Sequence, residues 1–169
     1  MDALEAILTR RSIRKYRKDP VDEESIRTLL TAAMSAPSAR NQQPWRFVVI
    51  TDRETLVALT AVHPYAKPLK EAACAVLICG DTEDLPSEGF WEQDCAAATE
   101  NLLVAATALG LGTVWLGCHP REDRVRGIQE LLGIPKAVVP LSLIAVGHPD
   151  EVKPKADRYD RKKVHCNRW

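Results

Sequence analysis

The sequence has no net charge: 23 Lys and Arg balance 23 Asp and Glu over 169 residues. That balance speaks against general nucleic-acid binding, which normally shows as a strongly basic domain. No basic-aromatic surface pattern offsets it. A local anion site remains possible. Cysteine pairs are also missing. The five cysteines are Cys74, Cys79, Cys95, Cys118 and Cys166, an odd number with no C-x-x-C spacing. The four histidines form no ligand pattern with them, which argues against a zinc site. A reduced, cytoplasmic chain is expected, its thiols buried as small hydrophobes. Cys118 has a competing reading as a redox-sensitive thiol.

Long apolar runs are scarce as well. The N-terminus, "MDALEAILTR", is amphipathic and lacks the apolar core of a signal peptide. The uncharged run from Asn101 to Cys118 is interrupted by Gly110, Gly112 and Gly117. It reads as helix, turn and strand, and no membrane association is expected. Cofactor and nucleophile motifs are absent too. No G-x-G-x-x-G joins a strand to a helix, and Gly110-x-Gly112 runs in the opposite order. No P-loop, G-x-S-x-G elbow or H-E-x-x-H pair occurs. His63, His119, His148 and His165 read as structural or exposed residues.

The patterning that is present describes one domain over residues 1–169, with helices and strands alternating loosely around a small sheet. Leu4, Ile7 and Leu8 share a face of a short first helix, and Asp2 with Glu5 resembles a capping box. "DPVDEES" opens a second helix with acidic residues in its first turn, and Ile26, Leu29, Leu30 and Ala33 form its buried stripe. "RFVVI" is a strand, and a third helix begins at Thr51 or Asp52. "AACAVLICGD", "GTVWLG" and "AVVPLSLIAVG" read as buried strands. The longest helix spans Trp91 to Leu109. Its many alanines suit either a core helix or one that also meets another subunit. "PREDRVRGIQELLG" is a surface helix with Pro120 in its first turn. The tail from about residue 150 is polar, yet it carries Tyr159 and Trp169 as anchors for docking on something.

Two segments carry chemistry. "TRRSIRKYRK" holds six basic side chains between Arg10 and Lys18. Arg10, Arg11, Ser12 and Arg14 supply the guanidinium forks and hydroxyl that meet a phosphate. A solvated basic face has the same composition. "PSARNQQPW" offers Asn and Gln, which donate and accept at once and can read the edge of a heterocycle. A turn-rich connection in water has that composition too.

Together, "RRSIRKY", "APSARNQQPWRFVV", "DCAAATENLLVAATALGLGTVWLG" and "DRYDRKKVHCNRW" resemble the nitroreductase-like family of FMN-dependent oxidoreductases, in order and over nearly the whole chain. The resemblance implies an α+β fold, a mixed α/β sandwich with a central, mainly antiparallel sheet flanked by helices. It also implies a homodimer that exchanges C-terminal arms, about residues 150–169, and holds FMN at its interface. Carried over by position, Arg10, Arg11 and Ser12 bind the FMN phosphate or ribityl chain, and Arg158 closes that site. Arg14 lies near the flavin N1 and O2. Pro37, Ser38, Asn41 and Gln43 approach from the other subunit. Leu116 and Gly117 line the ring with backbone groups.

The implied activity is hydride transfer from NADH or NADPH to flavin N5, then onward to a small electrophilic acceptor, by ping-pong turns at one face. A non-catalytic flavin sensor or FMN reservoir is the alternative. Only "GDTEDLPSEGFWEQ" separates the buried strand from the long helix, so the cover over the flavin is small. Phe90 or Trp91 could contribute to it.

Overall fold

A computed structural model describes residues 1–169. It contains helices α1 (Ala3–Thr9), α2 (Glu23–Met34), α3 (Arg53–Val62), α4 (Trp91–Ala108) and α5 (Glu122–Leu132). The strands are β1 (Trp45–Ile50), β2 (Cys74–Asp81), β3 (Gly112–Gly117) and β4 (Val138–Gly147). They form one fully antiparallel sheet in the order β1-β2-β4-β3. No helix is long and apolar enough to cross a membrane.

The sheet is the middle layer of a sandwich. β2 alternates its side chains between two cores, as the two-residue period of a strand requires. Ala75, Leu77 and Cys79 pack with Leu56 and Leu59 of α3 and Ile128 of α5. Cys74, Val76 and Ile78 pack with Leu29 of α2 and with Cys95, Ala98 and Leu102 of α4. A strand buried on both faces shows no alternation of polarity, hence the continuous apolar run. The thin side chains of α4 bring it close to the sheet, and Gly80 follows from that. A Cβ there would overlap the Trp91 ring.

Helix starts follow their caps. Asp2, Asp22 and Asp52 each accept a backbone N–H three residues on, so α3 starts after Asp52. Gly133 ends α5 in the left-handed conformation that glycine adopts most readily.

Three local expectations change, and the structure adds what periodicity left open about α1. "GTVWLG" is not a strand buried all round; β3 is an edge strand, and Trp115 is partly exposed. Pro120 lies before α5, which is preceded by Arg121. Trp91 is a core residue, edge-on to His119 at 5.0 Å. Leu4, Ile7 and Leu8 share a face, but that face is exposed, and Ala6 is the buried side chain of α1.

Candidate functional site

The site grows from the free side of β3. The segment after α1 runs along the first half of that edge. Ile13 N–H donates to Thr113 O at 2.8 Å, and Tyr16 bridges Pro149. Ile13 and Tyr16 turn inward, while Arg14 and Lys15 are exposed. Gly112 and Gly147 allow this approach, because a Cβ at either would collide with Ile13 or Tyr16. Burial raises the Tyr16 phenol well above its usual range, so it stays neutral and donates to Ile13 O.

The second half of the edge borders a groove of about 950 Å³ that contains Arg14, Leu116 and Gly117. Cys118 N–H donates to Leu141 O, one residue beyond the Gly117–Ser142 pair. Antiparallel alternation therefore turns the backbone polar groups of Thr113, Trp115 and Gly117 away from β4. Thr113 O is taken by Ile13. Gly117 O accepts from His63 Nε2 at 2.9 Å and from Arg124 Nη1 at 2.8 Å. The N–H groups of Trp115 and Gly117 remain available. A Cβ on Gly117 would meet nothing within 4 Å, so this glycine leaves open space beside the strand.

Charge in the groove is unevenly compensated. Glu151 accepts the Arg14 N–H at 2.6 Å and pairs with Lys153 at 3.3 Å. The Arg14 N–H, followed by Lys153, holds its carboxyl below the usual range. Lys153 also donates to Ser12 O at 2.6 Å. Glu151 is thereby committed to the local scaffold. The Arg14, Lys15 and Lys67 side chains line the same groove without an ion pair, as does one further carboxylate, Glu71.

A second pocket, of about 630 Å³, brings together Arg10, Arg11 and Arg158. Arg10 pairs with Glu100 of α4 at 3.3 Å. Arg11 donates through Nε to Pro154 O at 2.6 Å and through Nη1 to Arg10 O at 2.8 Å, tying the N-terminal segment to the C-terminal arm. Its Nη2 is buried and has no partner. Ser12 lines neither cavity. It follows Arg11 in the chain and bridges Thr113.

Pro37, Ser38, Asn41 and Gln43 lie in neither cavity of this chain. Their loop is fastened to the start of α4. Buried Asp94 accepts from Ala39 N–H at 2.9 Å and from the Gln42 amide at 2.7 Å. Gln43 N–H donates to the Ser38 hydroxyl, and the Gln43 amide donates to Asn41 Oδ1. Arg40, Asn41 and Gln43 all adopt positive φ, near +50°. Three such non-glycine residues in four positions store backbone strain, which typically collects at functional loops.

The model of the nitroreductase family matches residues 7–78 and 62–148. The chain belongs to the nitroreductase family. A Methanothermobacter thermautotrophicus protein provisionally named an NADH dehydrogenase/NAD(P)H nitroreductase is 47% identical, covering 100% of this chain and 88% of its own. A similarly named crystal structure from Parabacteroides distasonis superposes with a TM-score of 0.95 at 41% identity, covering 99% of this chain and 98% of its own. A provisionally named nitroreductase from Desulfovibrio desulfuricans, solved in complex with FMN, gives a TM-score of 0.86 at 32% identity and covers 100% of this chain and 98% of its own.

Several residues of this candidate site escape a reading of the sequence. Lys67 lies within "HPYAKP", and only the fold brings it into the groove with Arg14. His63 is fully buried at the end of α3 yet borders the groove. Tyr65 N–H donates to its Nδ1, so Nε2 carries the proton given to Gly117 O. Burial keeps the ring neutral by lowering its pKa. Cys118 is a core thiol: burial pushes its pKa to about 12, which suppresses the reactive thiolate.

Proposed function

We propose that the protein binds one FMN per chain and acts as an NAD(P)H-dependent oxidoreductase on small electrophilic acceptors. The ring would lie along the free edge of β3. The phosphate would reach the pocket of Arg10, Arg11 and Arg158. The observation that carries this reading is the unpaired stretch of sheet edge beside uncompensated cations. There Trp115 and Gly117 offer N–H groups, Gly117 has no Cβ, and Arg14 and Lys67 are engaged in no ion pair. A flat, acceptor-rich, electron-poor ring fits such a surface. The orphaned Arg11 Nη2 fits a phosphate in the same way, since a buried guanidinium nitrogen without a partner is costly. Membership of the nitroreductase family and the FMN-bound relative support the same cofactor.

When bound, FMN supplies two-electron hydride chemistry between NADH or NADPH and an acceptor such as a nitroaromatic or quinone, the two taking turns at one face. The chain's own groups bind and orient. Arg10, Arg11 and Arg158 hold the phosphate end, with Ser12 beside them. The Gly117 N–H meets an acceptor on the ring, and Leu116 supports the strand beneath it. Arg14 sets a positive charge beside the groove, where negative charge in a partly dry site is favoured by on the order of a few kcal/mol. No side-chain acid or base is required.

The working unit in this reading is a homodimer. The apolar face of α1 and the exposed Tyr159, Val164 and Trp169 are surfaces that a partner would cover. In that arrangement the C-terminal arm crosses over, and the partner supplies Pro37, Ser38, Asn41 and Gln43 to the ring. The test is the purified protein itself. A yellow protein releasing one FMN per chain, and bleached anaerobically by NADH or NADPH, is the expected result. A colourless protein that cannot be reconstituted with FMN would refute the reading. A flavin left oxidised by both nicotinamides would indicate a carrier or sensor.

A further inference from the structure

We infer that Arg124 and His63 are a positioning pair, which grips the Gly117 carbonyl and so locks in place the glycine whose N–H the sheet already turns toward the groove. This inference rests on the flavin reading above. β4 holds the residues on either side of Gly117, but the glycine's own carbonyl faces away from the sheet, and no side chain restrains the backbone there. Here both lone pairs of one carbonyl are occupied from outside the sheet, by His63 Nε2 at 2.9 Å and Arg124 Nη1 at 2.8 Å.

Each gripping group is itself held. The His63 ring is fixed by the Tyr65 N–H at Nδ1, and its side chain is buried at the end of α3. The Arg124 guanidinium reaches from α5 and lies over the Tyr65 ring, 5.3 Å from its centroid. Two separate parts of the chain, the end of α3 and α5, therefore converge on one carbonyl.

Satisfying a carbonyl would need only one neutral donor. Arg124 adds a half-buried cation that has no carboxylate partner and whose Nε is buried without a hydrogen bond. Its charge sits just behind the strand that the ring would touch. A cation there favours whichever ligand form carries more negative charge, and reduced flavin carries more than oxidised flavin. The pair is thus expected to act on the balance between the two oxidation states, beyond simply holding the fold.

The test compares wild type, Arg124→Met, Arg124→Lys, His63→Phe and His63→Gln after reconstitution with FMN. Its readouts are the FMN dissociation constant, thermal stability and the two-electron midpoint potential. Arg124→Met should lose about tenfold in preference for reduced over oxidised FMN, which lowers the midpoint by about 30 mV. Arg124→Lys keeps charge but loses the planar fork, and should lose about threefold, roughly 15 mV. His63→Phe should lower the midpoint, and His63→Gln, which can still donate to Gly117 O, should restore most of it.

A purely structural role predicts something else: lower stability and equal weakening of both redox forms, with the midpoint unchanged. That outcome in Arg124→Met with FMN bound overturns the inference. Should Arg124→Met fail to fold, an unchanged midpoint in Arg124→Lys overturns it. A wild-type protein that takes up no FMN overturns the flavin reading, and this inference with it.

Discussion

Arg158 offers a clean perturbation, because it stands in the pocket proposed for the phosphate but holds nothing else. Its side chain is exposed and makes no ion pair or hydrogen bond within the chain. Arg158→Gln should therefore change the stability of the apoprotein by no more than about 0.5 kcal/mol. Its expected partner is the doubly charged phosphate of FMN. A charge-assisted hydrogen bond contributes about 1.5–3 kcal/mol, which is roughly 10–150-fold in affinity. The exposure of Arg158 places the expected loss toward the lower end of that range. Riboflavin has the same ring and ribityl chain but no phosphate, so its affinity should not change. Fluorescence-quenching titrations of wild type and Arg158→Gln with both ligands form a double cycle that isolates the arginine–phosphate coupling. Equal losses for FMN and riboflavin would refute a phosphate role for Arg158. So would an FMN affinity equal to that of wild type.

Other outcomes follow from named contacts. Gly117→Ala puts a Cβ into open space and should leave the melting temperature unchanged while weakening FMN and riboflavin alike, as titration of both ligands would report. Asp94→Ala leaves two buried or half-buried donors without their charged acceptor and should cost about 3 kcal/mol. For a chain of this length that is about 6–12 °C in melting temperature, measurable by calorimetry. His63 has a lowered pKa in the folded chain, so the unfolded chain binds more protons as pH falls below about 6.5. Wild type should lose stability on acidification from that point down through the folded pKa, and His63→Gln should show a flatter profile in denaturant titrations. Leu8→Glu on the exposed face of α1 should convert a dimer to monomer in sedimentation if that face meets a partner.

Much of the architecture was legible because its determinants are local. Caps at Asp22 and Asp52, the glycine after α5 and the run through β2 each act within a few residues. The position of β3 was not legible. An edge strand with one face on the core and its free side under Ile13 has the same composition as a central strand. The α1 face was legible only in part: periodicity marks Leu4, Ile7 and Leu8 as one surface but not what covers it. Within the site, the gathering of Arg10, Arg11 and Arg158 joins positions about 150 residues apart. The resemblance to the nitroreductase-like family pointed to it, whereas charge alone did not. Gln42 and Asp94 show the opposite failure. In "RNQQP" either glutamine could be the one turned inward, and only the fold commits Gln42 to the scaffold and leaves Gln43 outside it.

The unpaired edge of β3 bears on how the chain survives as well as on what it holds. Exposed N–H groups on a sheet edge are a template for a strand from another molecule, and proteins usually blunt them with charge, twist or a covering helix. This sheet covers half of that edge with its own N-terminal segment and surrounds the rest with Arg14, Lys15 and Lys67. A flavin ring along the remaining groups would complete the cover. Cells short of riboflavin should then accumulate less of the chain in dispersed form, with losses to aggregation that begin at β3. The cofactor would serve as a guard against self-association in addition to its chemistry.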